Sequence, residues 1–499
     1  MSQTPAPKPL PQDFQFGVAT SGFQVEGGFN GQGEPLNQWH MAELTGKAAV
    51  SGPACGFWER PEILLDAAAS LDIDCMRVSV EWARIERSDG DFDETALDHY
   101  REILAGMLER GLDPVVTMHH FTHPEFLGLE FWLMPGSPER FCAYAERVVE
   151  ALSPQVRRWV TINEPVIEAM HGWVSGMFPP FRRGAISDAL CVIDNLLVAH
   201  LLLSRIIKRH RPDAEVTLTM TSSSAYDFSA IYLDLLEAPR RQTGSDASAW
   251  LSSRRETFEA LGGPSSLVES AMRWLLAAFG QHTKLAAFPA DPTGFSAQLA
   301  AWMKRPGTMR AAELAMDGSE ASLDVLGVDH YDPQVARLWS KPWREVAGER
   351  RVLPFTEHDE WTHKPADLSL SLQQLHGLYP DLPVVFMEHG MATRRERGKP
   401  QTRVDGLRRP VFLAQQFSAM LAAMDAGVNV AGYLHWSLVD NYEWGSFAPR
   451  FGLFGMDRPR PGEPVQLLAT DAAGDDSAAA YRRIIQGLRA DDRSVLALP

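Results

Sequence analysis

Eight short, β-prone apolar runs, at residues 14–20, 75–80, 114–119, 159–164, 216–220, 324–329, 382–388 and 428–436, constrain this chain more than anything else in it. They are separated by stretches long enough for a helix, with no hairpin signal between one run and the next. Strands alternating with helices pair in parallel, and eight is the number that closes into a (β/α)8 TIM barrel. Several intervening segments carry their own signals. Residues 97–110 place Leu97, Tyr100, Ile103, Leu104, Met107 and Leu108 at helical spacing, and Gly111 follows as a C-terminal cap. Residues 137–151 open with Ser137 as N-cap and Pro138 in the first turn. Helical patterns also cover 63–71, 192–209 and 368–378.

A chain of 499 residues fits one large α/β barrel with elaborated βα loops. The expected division is a flexible Pro-rich tail over 1–11 and a single barrel domain over 12–490. Residues 222–322, with helical patterns at 249–261 and 267–279, read as a long insertion after the fifth strand. A formal net charge of −17 argues against a nucleic-acid partner, which needs a basic face. Cys55, Cys75, Cys142 and Cys191 are far apart with no CxxC pair, and are read as reduced thiols. The N-terminus lacks an apolar signal region, and no stretch approaches the roughly 18 continuous apolar residues of a membrane span. A soluble cytoplasmic protein is therefore expected, with its oligomeric state left open.

The barrel reading makes the strand ends informative, because catalytic residues of such barrels gather at the C-terminal tips. Arg77, His119, His120, Asn163, Glu164, Asp329, Tyr331, Glu388 and Trp436 all fall there. Two glutamates on one rim suit glycoside hydrolysis, in which one carboxyl protonates the leaving oxygen and the other attacks the anomeric carbon or activates water. Tryptophans beside polar side chains suit sugars, whose rings have apolar faces and hydroxyl edges. Either glutamate alone would more often be a solvated or salt-bridged residue. The histidines of His119-His120-Phe121-Thr122-His123 lie on a strand end and loop with no helix to set an i, i+4 pair, so no metal or other cofactor is expected.

Five stretches carry a resemblance. Thr161-Ile-Asn-Glu-Pro165 resembles the acid/base motif of glycoside hydrolase family 1, the β-glucosidase and β-galactosidase family, and Met387-Glu388-His389-Gly390 resembles its nucleophile motif. Residues 16–28, 76–85 and 436–444, the last with Arg450-Phe-Gly452, match in family order. The resemblance implies a retaining β-glycosidase acting on terminal β-D-glucosyl, β-galactosyl or β-fucosyl residues. Glu388 would be the nucleophile and Glu164 the acid, then base. Retention requires carboxyls about 5–5.5 Å apart. Arg77 and Tyr331 match the family residues that support the nucleophile, and Asn163 the contact to the sugar 2-hydroxyl. Gln24, His120, Glu443 and Trp444 match positions that bind the remaining hydroxyls, and Trp436 a stacking platform. Glu443 argues against a 6-phosphate, since the phospho-glycosidase branch lacks a carboxylate there. Transglycosylation through the same intermediate, and carbohydrate binding without cleavage, are the alternative readings.

Two departures stand out. His389 replaces the family's usual Asn, and Asp329-His330-Tyr331 its Asn-Tyr-Tyr. His389 is expected to be a structural replacement. Asp329 adds a third carboxyl that would raise its neighbours' pKa values unless it is paired, which implies a shifted pH optimum or an altered substrate preference.

Overall fold

The computed structural model describes residues 8–221, 228–241, 310–317, 322–331, 343–346, 349–352, 363–396, 399–401, 405–457 and 466–497, with isolated residues between them. Its centre is a ring of parallel strands: β1 (Gln15–Ala19), β2 (Cys75–Ser79), β3 (Asp113–Thr117), β4 (Arg158–Val160), β5, β6 (Leu326–His330), β7 (Val384–His389) and β8 (Val430–Trp436). β5 comes in two pieces, Glu215–Thr217 and Thr219–Thr221, interrupted at Leu218. The first pairs with β4 and the second with β6, while β1 pairs with β8, so the eight strands close. Parallel pairing requires crossovers, and the helices supply them: α1 (Pro61–Ala69), α2 (Glu94–Glu109), α3 (Ser137–Leu152), α4 (Ile186–His210), α5 (Phe228–Arg241), α6 (Arg310–Asp317), α7 (Pro365–Leu378), α8 (Arg409–Asp425) and α9 (Ser477–Arg489). The fold is the expected TIM barrel.

Local chemistry explains the helix ends. Asp93 caps α2 by accepting from the Ala96 N–H. At its other end, Gly111 adopts φ +73° and donates to the Leu108 carbonyl while Leu112 donates to Met107, the paired bonds of a Schellman motif. At α3 the sequence reading needs correction. Gly136, at φ +81°, occupies the N-cap, and Ser137 is the first helical residue without a capping bond of its own. Antiparallel hairpins do occur, but inside βα loops, as between Glu86–Ser88 and Asp91–Phe92.

Alternation along each strand splits the core in two. Ala19, Cys75, Val115, Val160, Val325, Val385, Met387, Leu434 and Trp436 form the barrel interior, and the other strand face packs beneath the helices. Below the interior, Arg158 donates to Asp113 at 2.6 Å and to Gln15 at 3.2 Å, tying the N-terminal strand ends together. None of the four cysteines forms a disulfide among the described residues, and burial pushes the Cys75 and Cys142 thiols up to about 12. Within α4, Ser187–His210 is long and apolar enough to cross a membrane by length and composition, and its apolar residues are largely buried in the protein. Residues 1–7 of the expected tail lie outside the described residues, whereas Lys8 is held by Asp425 and Arg493. Most of the expected insertion, including 267–279 and the greater part of 249–261, also lies outside them.

Candidate active site

Arg77 organises the upper barrel. It is a wholly buried cation at an inward position of β2, and such a charge persists only when paired. Its Nη1 donates to Glu388 Oε1 at 2.8 Å and to the Met387 carbonyl at 3.3 Å, its Nε to Thr117 Oγ1 at 2.8 Å, and its Nη2 to Asn163 Oδ1. The Tyr331 hydroxyl donates to the second Glu388 oxygen at 2.7 Å. Glu388 thus receives one donor on each oxygen. Burial raises its pKa, and Arg77 and the Tyr331 hydroxyl oppose that rise.

How Glu388 reaches Arg77 is not visible from alternation. Val385 and Met387 both face the interior, so strict alternation would send Glu388 outward. Instead the β7 register slips by one residue against both neighbours. Between Phe386 and Glu388 the β6 partner advances only from Val328 to Asp329, and between Phe386 and His389 the β8 partner advances only from Tyr433 to His435. This is a β-bulge, which turns the carboxyl inward beside Met387. His389 then points outward, packed on Phe386, Phe412, Tyr433 and His330. Gly390 completes the turn, where an added Cβ would lie 1.8 Å from the Trp436 carbonyl oxygen.

Glu164 is positioned differently. β4 stops at Val160, earlier than expected, and Glu164 sits at a corner with φ +36°, followed by the short helix Pro165–Ala169. A left-handed non-glycine residue costs on the order of 1–3 kcal/mol, so its surroundings must hold it. Thr219 Oγ1 accepts from the Glu164 N–H at 3.0 Å, and Thr221 donates to Glu164 Oε1 at 2.6 Å. Burial and the neighbouring Glu388 charge push the Glu164 carboxyl up to about 8, while Thr221 and Arg77 pull it down. The two glutamates therefore lie in opposite electrostatic settings, one held by a cation and a phenol, the other by a threonine hydroxyl.

Asp329 lies in register with Glu388 on the adjacent strand and is fully buried. Arg77 Nη1 is 3.8 Å from its Oδ1, and neither carboxyl oxygen has a hydrogen bond among the described residues. Thr219 is close, but its hydroxyl donates to Asn163 Oδ1 at 3.0 Å. Burial, then Glu388 and Glu164, hold the Asp329 carboxyl well above the usual range.

The remaining expected residues lie at the ends of β1, β3 and β8 and touch one another. His120 stacks nearly parallel to both Trp436 and Trp444, with centroids 5.9 and 5.7 Å away. The Trp436 indole donates to Glu443 Oε1 at 3.2 Å, and burial pushes the Glu443 carboxyl up to about 8. Gln24, on the short helix after β1, accepts from Ser21 and donates to Asn441 at 3.2 Å. The other two histidines of the 119–123 run are engaged elsewhere. His119 Nε2 lies 2.7 Å from Glu168 Oε2, and His123 Nε2 lies 3.0 Å from the Gly128 carbonyl. Trp58, Trp82 and Trp132 pack among Tyr100, Tyr144 and Phe141. Sequence reasoning missed Thr117, Thr219 and Thr221. The period-two repeat Thr217, Thr219, Thr221 in an otherwise apolar strand was the available signal.

Comparison with known proteins points the same way. The chain is 28% identical over 475 residues to a 6-phospho-beta-galactosidase of Lacticaseibacillus rhamnosus, covering 91% of this chain and 94% of that protein. It is 25% identical over 480 residues to coniferin beta-glucosidase of Pinus contorta, covering 90% and 88%. The solved structure of a beta-glucosidase from Thermotoga maritima in complex with noeuromycin superposes with a TM-score of 0.69 at 21% identity, over 96% of this chain and 99% of that one. Residues 6–467 match glycosyl hydrolase family 1, and the chain belongs to that family of glycoside hydrolases.

Proposed function

We propose that this glycoside hydrolase cleaves terminal, non-phosphorylated β-D-hexosides, glucosides first, with retention of configuration. The supporting observation is the contrast between the two glutamates. Glu388, held by Arg77 and Tyr331, is fit to attack as a carboxylate, and Glu164, with its carboxyl pushed up to about 8, is fit to carry a proton at neutral pH. In the first step a Glu388 oxygen bonds to the anomeric carbon, the glycosidic C–O bond breaks, and the Glu164 proton goes to the leaving oxygen. Glu388 then becomes an ester and its charge disappears, so Glu164 remains as a carboxylate. In the second step Glu164 takes a proton from water, the hydroxide oxygen bonds to the anomeric carbon, and Glu388 leaves as a carboxylate.

Asn163, fixed by Arg77 and Thr219, would meet the 2-hydroxyl, and Trp436 would stack on the sugar. Gln24, His120, Glu443 and Trp444 complete the hydroxyl contacts. The relatives named 6-phospho-beta-galactosidase favour a second reading, a phosphorylated galactoside. Glu443 weighs against it, because a buried carboxyl offers a phosphate no cation in either protonation state. Hydrolysis of aryl β-glucoside, β-galactoside, β-fucoside and β-galactoside 6-phosphate by the purified protein separates the two. Turnover of the neutral glycosides, abolished in Glu388→Ala, is expected. Exclusive turnover of the 6-phosphate would replace this reading with the second.

A further inference from the structure

The run His119-His120 contributes one residue to the sugar site and one that the reaction described above does not use. His119 and Glu168 are both buried, and a buried histidine against a buried glutamate is an unusual choice where an apolar pair would pack. Their location gives the choice a purpose. The His119 carbonyl accepts from the Asn163 N–H at 2.9 Å, just before Glu164, and its Nε2 meets the Glu168 carboxyl at 2.7 Å, four residues after Glu164. The Glu168 N–H in turn donates to the Glu164 carbonyl at 3.2 Å. One residue therefore grips both sides of the left-handed corner. Among the described residues His119 Nδ1 has no partner, and the ring is walled by Trp132 and Phe141, with centroids 5.1 and 5.8 Å away, so Nε2 makes the ring's hydrogen bond.

We infer that the buried His119–Glu168 pair is a positioning device for the acid/base, holding the 163–168 corner so that the Glu164 carboxyl stays aimed at the leaving oxygen. The inference rests on the proposed role of Glu164. Without the pair the corner keeps its backbone bonds but loses the side-chain brace between β3 and the short helix. Attack by Glu388 depends on Arg77 and Tyr331, which the pair does not touch. The loss is therefore selective for the proton transfer.

The test is the kcat/KM ratio between an activated dinitrophenyl β-glycoside, which needs no protonation, and an unactivated phenyl or alkyl β-glycoside, which does. Glu168→Leu is expected to raise that ratio by about tenfold or more, a loss of proton-transfer assistance alone. Glu168→Gln, which can still accept from Nε2–H, is expected to restore it to near the parent value. Azide should accelerate turnover of the dinitrophenyl glycoside by Glu168→Leu and yield the β-glycosyl azide. His119→Phe, which keeps ring volume against Trp132 and Phe141, reads the same ratio should Glu168→Leu lack a cooperative melting transition. A ratio unchanged in the folded variants overturns the inference, whatever the absolute rates do. Glu164→Gln serves as the control. If it too leaves the ratio unchanged, the acid/base assignment itself has failed; if it raises the ratio while the Glu168 and His119 variants do not, only the positioning role has.

Discussion

Asp329 and Glu388 are cross-strand partners on β6 and β7, and both approach the same guanidinium nitrogen of Arg77, at 3.8 and 2.8 Å. One buried cation beside them neutralises one carboxylate. The hydrogen bonds favour Glu388, since Tyr331 donates to it and nothing among the described residues donates to Asp329. Asp329 is nevertheless an alternative home for the negative charge, and every molecule in which it holds that charge has a protonated, inert nucleophile. Asp329→Asn removes the competitor. The kcat/KM plateau should rise by about twofold or more, and the midpoint of its acid limb should move to higher pH by the same factor, because a proton that can leave from either of two sites leaves at lower pH than from one. A pH profile identical to that of the parent would refute the competition.

Tyr331→Phe should act on the plateau in the opposite direction. It deletes one of the two donors to Glu388 and leaves Arg77 in place. A hydrogen bond to a charged group contributes about 1.5–3 kcal/mol, so kcat/KM should fall by roughly 10- to 150-fold. The acid limb should also rise, because a less stabilised carboxylate binds its proton more tightly. Steady-state rates from pH 4 to 9 check both effects.

Glu164 is pushed up to about 8, which sets the other limb. Activity on unactivated glycosides should decline as pH rises past that value, because the proton needed by the leaving oxygen is gone. In Glu164→Gln this alkaline limb should vanish. Hydrolysis of dinitrophenyl glycosides should then accumulate glycosyl-enzyme, seen as a burst of aryl alcohol, because the water step has lost its base.

Stability has its own pH dependence. Glu81, Glu164 and Glu443 are each pushed up to about 8, chiefly by burial. A raised folded pKa stabilises below the unfolded value, near 4.5, and that contribution is lost as pH climbs through 8. The buried histidines His123 and His200, at about 3, and His330, at about 4, act only below their unfolded value of about 6.5. Between pH 6.5 and 8 the carboxyls therefore dominate, each giving a slope of about 1.4 kcal/mol per pH unit. Glu81 lies outside the sugar site, held by the Phe23 N–H and the Thr122 hydroxyl. Glu81→Gln should reduce proton release on unfolding by about one, measured by urea denaturation across that range.

Most of this architecture was legible because a barrel repeats its signals. Eight apolar runs and the capping of α2 by Gly111 follow from composition and spacing alone, and the strand-end rule gathers Arg77, Asn163, Tyr331 and Glu388 on one rim. What escaped depended on neighbours far away in sequence. Thr221 matters because β5 lies beside Glu164, 57 residues away. Glu164 was expected at a strand tip and stands instead on a left-handed corner, which no propensity favours for glutamate. The capping serine of α3 was misplaced by one residue because Gly136 can adopt φ +81° and Ser137 then enters the helix.

The slip in β7 makes the proposed nucleophile a matter of arithmetic. Val385 and Met387 already occupy the inward phase, and Glu388 shares it only because β7 slips by one residue after Phe386. If β7 ran through Met387 and Glu388 in strict alternation, with no slip, the carboxyl would turn toward the helices, where Phe412 and His389 now meet. Reactivity here is encoded in local register as much as in residue identity, so a glutamate that directly follows an inward residue on an unslipped strand would face the helices instead of Arg77.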